Sequence, residues 1–276
     1  MLHPGWIALI VILGAAVLTY LVIVWVYVAK GPNDPWPCHP LSRSKVYLAS
    51  KIKGVYGLTL RRNKVKTANV VQVMKDLGLP SSRVWYGHDA KEEGVEGVCP
   101  EGTKRSDGEL GCSISHLAIW KDILKKRPSP DDWFLILEDD TTLALPRQEF
   151  MSFMAEGLER SDREGYEVIH FGGSPSLADL PRGKRLDRHR WRITPGGTFG
   201  YGVKASLLPS LVTTLKDSMC KLPVDIIIQK KFRKRGVLMA RRPFKPWSPL
   251  AQFHGNDTGI FGHKRDDGDF KSDITK

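Results

Sequence analysis

The sequence predicts an α/β domain with a mainly parallel central sheet, preceded by one membrane-spanning helix, and two observations carry that prediction. Strand-like runs at 54–60, 84–90, 133–138 and 166–172 alternate with helical patterns at 63–77, 108–125 and 147–160. Alternation of this kind folds as parallel strands joined by crossover helices. Ahead of it, Trp6 to Ala29 is a run of 24 uncharged, mainly apolar residues, about 36 Å long as a helix and enough to cross a bilayer.

In chain order, a short tail at 1–5 leads into the anchor at 6–29, whose ends carry Trp6 on one side and Trp25 and Tyr27 on the other, the positions of interfacial aromatics. A cleaved signal peptide fits less well, because the apolar region is long and the first five residues contain no Lys or Arg. Gly31 to Pro40 is rich in proline and turn formers, which makes 30–45 a stem. The folded domain takes 46–262 and a polar tail takes 263–276. Lys30, Arg43 and Lys45 follow the span while no Lys or Arg precedes it; this asymmetry alone favours a cytosolic domain. Cys38, Cys99, Cys112 and Cys220 form no disulfide-framework pattern in a chain of 276 residues, so they do not fix the compartment.

A hydrophobic content of 41% supports a folded core and excludes disorder throughout. The formal charge is +12, with basic runs at 182–192 and Lys230-Lys-Phe-Arg-Lys-Arg235. Such runs are solvated faces unless they meet an anionic membrane, an acidic substrate or nucleic acid. A membrane-anchored nucleic-acid-binding protein is therefore one competing class.

The chemistry concentrates at Trp133-Phe-Leu-Ile-Leu-Glu-Asp-Asp140, an apolar strand ending in three carboxylates. At the C-terminal end of a strand in an open α/β sheet, side chains emerge where ligands bind. Glu138, Asp139 and Asp140 are hard oxygen donors suited to Mn²⁺ or Mg²⁺; the bland alternative is a solvated acidic turn. A metal-dependent phosphodiesterase would also use carboxylates, but normally needs more ligands than one triplet supplies. Just upstream, Ser106 and Glu109 have the spacing of a capping box, so a helix starts near Asp107 and runs to about Lys125. Glu109, Cys112, His116 and Trp120 share one face of it.

Taken together, Gly108-Glu-Leu-Gly-Cys-Ser-Ile-Ser-His-Leu117, Trp120-Lys121 and Ile136-Leu-Glu-Asp-Asp140 resemble glycosyltransferase family 25, which includes lipooligosaccharide and procollagen galactosyltransferases. Tyr56-Gly-Leu-Thr-Leu-Arg-Arg62 resembles the family's first strand and basic turn, and Val84 to Ala90 its second strand. Thr198-Phe-Gly-Tyr201, Leu222-Pro-Val-Asp225 and Gln252 to Asp257 follow in the family's order. The likeness spans 53–259, with departures at Thr59, where Asn is usual, and after Arg62, where Asp-Arg is missing.

The resemblance implies a GT-A nucleotide-sugar-binding fold and an inverting hexosyltransferase. It would use a UDP-sugar, UDP-galactose foremost, with a glycan or glycoconjugate acceptor, and no nucleic acid is expected as partner. On that reading Asp140 and Glu138 hold Mn²⁺ or Mg²⁺, with His254 completing the shell. Arg61, Arg62, Glu109 and Asp139 contact the nucleotide sugar, and Gly172 and Gly173 admit the sugar closely. Asp225 is the expected base, or else a helix cap, with His116 a second catalytic candidate. The family acts in the secretory pathway in eukaryotes and in the cytosol in bacteria, so the domain's side stays open.

Overall fold

The computed structural model describes residues 17–20, 41–143, 145–171, 184–185, 190–192, 197–239 and 261–263. Helix α1 (Leu41–Lys51) begins inside the stretch read as stem and runs directly into β1 (Ile52–Thr59). Then come α2 (Lys64–Leu77), β2 (Ser82–Tyr86), a short α3 (Ala90–Glu93), α4 (Asp107–Lys125) and β3 (Trp133–Glu138). β4 (Thr141–Leu143), α5 (Arg147–Glu164) and β5 (Val168–His170) follow, and the short strands β6 (Lys184–Arg185) and β7 (Arg190–Arg192) precede β8 (Gly200–Lys204). The chain closes with α6 (Leu208–Ser218), α7 (Val224–Lys231), β9 (Gly236–Met239) and β10 (Phe261–His263).

The strands form an eight-stranded sheet in the order β2-β1-β3-β8-β5-β9-β7-β6, and β4 pairs with β10 apart from it. Parallel pairing holds for β1 with β2 and β3, and for β5 with β9. β8 runs antiparallel to both β3 and β5, and β7 antiparallel to β9, so the expectation of a mainly parallel sheet gives way to a mixed one. That reversal puts the start of β8 beside the end of β3, with Leu137 opposite Gly200.

Alternation along the strands explains why both faces are covered. Trp133, Leu135 and Leu137 enter a core with α1, α2 and α5, while Phe134 and Ile136 enter a second core with α4, α6 and α7. A strand buried on both faces reads as an unbroken apolar run, which is what 133–137 is. The helix expected at 147–160 continues to Glu164, where Gly165 closes it in the left-handed conformation. The strand expected at 84–90 stops at Tyr86, because Asp89 turns the chain into α3 by accepting a hydrogen bond from the Lys91 N–H.

Cys99 and Cys220 form a disulfide, with Cα atoms 5.5 Å apart, a pairing that the spacing of the cysteines did not announce. Of the apolar stretch 6–29, only residues 17–20 lie within the described residues, and they are helical. Among the described residues no helix is long and apolar enough to cross a membrane.

Candidate active site

The ends of β1, β2 and β3 and the first turns of α4 enclose a cavity of about 430 Å³. Its lining includes Thr59 at the end of β1, Arg62 and Lys66 from the first crossover, His88 and Asp89 beyond β2, Gly108, Gly111 and Cys112 on α4, and Glu138, Asp139 and Asp140. Gly111 lets α4 lie against the preceding turn: a Cβ there would stand 3.0 Å from the His88 carbonyl oxygen. The capping box forms as the spacing predicts, Ser106 Oγ accepting from Glu109 N–H and the Glu109 carboxylate from Ser106 N–H.

The acidic turn is held from several sides. Asn69 on α2 donates its amide protons to the carbonyls of Asp139 and Thr141 at 2.8 and 2.9 Å. Thr59 donates to Asp139 Oδ2 at 2.8 Å. Burial pushes the Asp139 carboxyl up to about 6; neighbouring Asp140 and Glu138 add to the rise, while the Thr59 hydroxyl and Lys66 oppose it. Glu138 donates its N–H to the Phe199 carbonyl at 2.8 Å, and its Oε1 accepts from Thr198 Oγ1 and lies 3.2 Å from His116 Nε2.

His116 is fully buried, and its other ring nitrogen lies 2.9 Å from Tyr201 Oη. Cys112, His116 and Glu138 bring one ligand atom each within 4.8 Å of one another. A Cys, His and carboxylate set suits zinc more than the Mn²⁺ or Mg²⁺ that a diphosphate requires. Burial raises the Cys112 thiol well above its ordinary value, and the charges of Glu138, Asp225 and Asp140 reinforce that rise while Arg105 opposes it.

The remaining expected residues separate. Arg62 lines the cavity and donates to Asp89 Oδ2 at 2.5 Å, whereas Arg61 stacks over the Tyr86 ring, 4.4 Å from its centroid. Glu109 is occupied by its capping box and by Arg105 Nε at 3.0 Å. Burial opposes its ionisation, but Arg105 and Ser106 together hold its carboxyl below the usual value. Asp225 lies in the first turn of α7 behind the cap residue Pro223, where Oδ2 accepts from Gly197 N–H at 3.0 Å and Oδ1 from Ile226 N–H at 2.7 Å. Gly172, Gly173 and His254 lie outside the described residues.

Sequence reasoning assigned no role to Asp89, Asn69, Thr198 or Tyr201. Asp89 had a signal, a capping residue four positions before Glu93, which returns a carboxylate to the Asp89 N–H at 2.9 Å. Asn69 had none, since it sits mid-helix and its partners lie 70 and 72 residues away.

The turn that carries the carboxylates and the helix that faces it fall within one recognised segment. Residues 100–169 match the model of glycosyltransferase family 25 (LPS biosynthesis protein). This match supports the family 25 assignment that the motifs suggest, and with it glycosyltransferase activity in general. No curated protein matches the chain significantly. The family 25 segment contains all of α4 and β3, while Arg62 and Lys66 of the cavity wall and the Thr198 and Phe199 contacts to Glu138 come from outside it.

Proposed function

We propose that the chain is a single-pass membrane glycosyltransferase of the GT-A type. It moves a hexose, galactose being the leading candidate, from a UDP-sugar to a hydroxyl of a glycan or glycoconjugate. The observation that carries this reading is the cavity in which Glu138, Asp139 and Asp140 face Arg62 and Lys66, inside and beside the family 25 segment. Carboxylate oxygens on one wall and cations on another are the complement of a diphosphate with its divalent ion. These residues fit Mn²⁺ or Mg²⁺, with Asp140 the first holder and Asp139 and Glu138 beside it. When bound, the cation supplies Lewis-acid stabilisation of the departing diphosphate.

The protein's own groups do the rest. Arg62, fixed by Asp89, and Lys66 orient the diphosphate and draw off its developing charge. Asp225 is the proposed general base for the acceptor hydroxyl in an inverting transfer. Its support is proximity, because the Cys112 thiol feels the charges of Asp225, Glu138 and Asp140 together. The anchor remains the reading of the apolar run 6–29. The Cys99–Cys220 disulfide favours a domain on an oxidising side of that membrane, opposite to the side given by the Lys and Arg asymmetry.

The test uses the full-length protein in detergent with UDP-sugars and Mn²⁺, reading UDP release, which needs no acceptor. UDP release should stop with excess chelator and return with Mn²⁺ or Mg²⁺. Cleavage of a phosphodiester, or salt-sensitive nucleic-acid binding without UDP release, would move the protein to one of the competing classes.

A further inference from the structure

The motif residues His116 and Tyr201 are left without a role by the transfer chemistry, yet both are fully buried beside the acidic turn. Their hydrogen bonds form one chain. Trp120 Nε1 lies 3.0 Å from Tyr201 Oη, Tyr201 Oη 2.9 Å from His116 Nδ1, and His116 Nε2 3.2 Å from Glu138 Oε1. An indole N–H only donates, so the Tyr201 oxygen accepts from Trp120 and keeps its own proton to give. The acceptor it meets is His116 Nδ1, which leaves the imidazole proton on Nε2, pointing at the Glu138 carboxylate. The opposite tautomer would set a nitrogen lone pair against a carboxylate lone pair. Thr198 Oγ1 donates to the same Glu138 oxygen, and the Phe199 carbonyl accepts from both Glu138 N–H and Thr141 Oγ1.

We propose that Tyr201, His116 and Thr198 are positioning residues: they lock the Glu138 carboxylate as the anchor of the acidic turn, leaving Asp139 and Asp140 to meet the donor's cation. This deepens the transferase reading and rests on it for the identity of the cation. Oε1 of Glu138 is already engaged within the fold by Thr198, by His116 and, at 4.0 Å, by the Cys112 thiol, so Glu138 acts through the turn, and the role expected for it as a metal ligand passes to its neighbours. His116, with both ring nitrogens committed, shuttles no proton to substrate. The Cys112, His116 and Glu138 cluster is then a hydrogen-bonded support for the site and no zinc centre.

Two arms test the proposal on the full-length protein. In the first, imidazole ¹⁵N NMR, with the His116 signal assigned by its loss in His116→Gln, should show the Nε2–H tautomer. The Nδ1–H tautomer, or a tightly held zinc ion on the purified protein, would overturn the network whether or not the protein transfers sugar. In the second arm, Mn²⁺ affinity is measured with UDP present, by electron spin resonance of the free ion.

Tyr201→Phe and Thr198→Val should weaken Mn²⁺ binding roughly 10- to 100-fold, as losses of residues that orient ligands do. Thr198→Ser should restore it, and so should His116→Gln, whose amide can donate to Glu138, whereas His116→Leu should not. A merely structural role would lower the melting temperature and the active fraction while leaving the affinity of the folded molecules unchanged; that result overturns the proposal, and Tyr201→Phe decides if His116→Leu fails to fold. Wild-type protein that binds Mn²⁺ and UDP but releases no UDP from any UDP-sugar would count against the transferase reading and leave the positioning network standing.

Discussion

His170, at the end of β5, is fully buried, and both of its ring nitrogens lack a hydrogen-bond partner among the described residues. It stacks on Tyr201 at a centroid distance of 6.1 Å. Burial alone holds its pKa down at about 3, against roughly 6.5 in an unfolded chain. Above pH 6.5 neither state binds the proton, so the full stability is present. Between the two values the unfolded chain takes up a proton that the folded one refuses, and stability falls by about 1.4 kcal/mol per pH unit. His170→Phe removes this titration and keeps a ring for Tyr201. Urea unfolding at about pH 7.5 and about pH 5 should show the wild type losing roughly 2 kcal/mol more than the variant. Identical acid sensitivity in the two proteins would mean that His170 finds a partner when charged.

Helix α4 can approach the cavity because residue 111 has no side chain. In Gly111→Ala the new methyl would meet the His88 carbonyl oxygen at 3.0 Å and the Ala90 Cβ at 3.2 Å. Alanine would gain up to about 1 kcal/mol in helix propensity, but overpacking costs about 1–3 kcal/mol where the neighbour is backbone that cannot swing away. A net loss of about 1–2 kcal/mol is expected in urea, together with weaker UDP binding as the wall shifts. A stabilised variant would show that the turn after β2 yields.

Helices were the legible elements: the runs read at 63–77 and 108–125 are Lys64–Leu77 and Asp107–Lys125, since periodicity and caps are local signals. The acidic strand end was legible for the same reason. Sheet direction was not, because the pairing of β3 with β8 joins residues far apart in sequence. Arg61 lies over the Tyr86 ring of β2, a contact its sequence neighbours do not announce, whereas the engagement of Glu109 Oε2 by Ser106 N–H is local and follows from the capping-box spacing, with Arg105 meeting the same oxygen.

Across the whole molecule, the Cys99–Cys220 bond joins the loop before α4 to the segment between α6 and α7, 121 residues apart. Arg105 reinforces that seam by donating to the Met219 carbonyl at 2.7 Å. If the domain faces an oxidising compartment, protein alkylated at harvest should keep this bond, and the domain should resist protease in sealed vesicles. Fully alkylated Cys99 and Cys220, or digestion from the cytosolic side, would place it in the cytosol. Carbonate washing tests the anchor separately: the intact chain should stay with the membranes, and recovery of a soluble full-length protein would remove the anchor.

Strand β8 has one more effect, on the order in which a nascent chain can become this protein. Glu138 emerges 60 residues before Thr198, whose hydroxyl it needs, and β3 waits equally long for the neighbour on its second edge. During that interval the growing chain holds an unpaired strand edge, the kind of surface on which partly synthesised chains associate wrongly. Docking of β8 ends the exposure and completes the support of the acidic turn in one event. On the proposed reading, the capacity to hold a nucleotide would therefore mature with the centre of the sheet, and donor binding would report that β8 has docked.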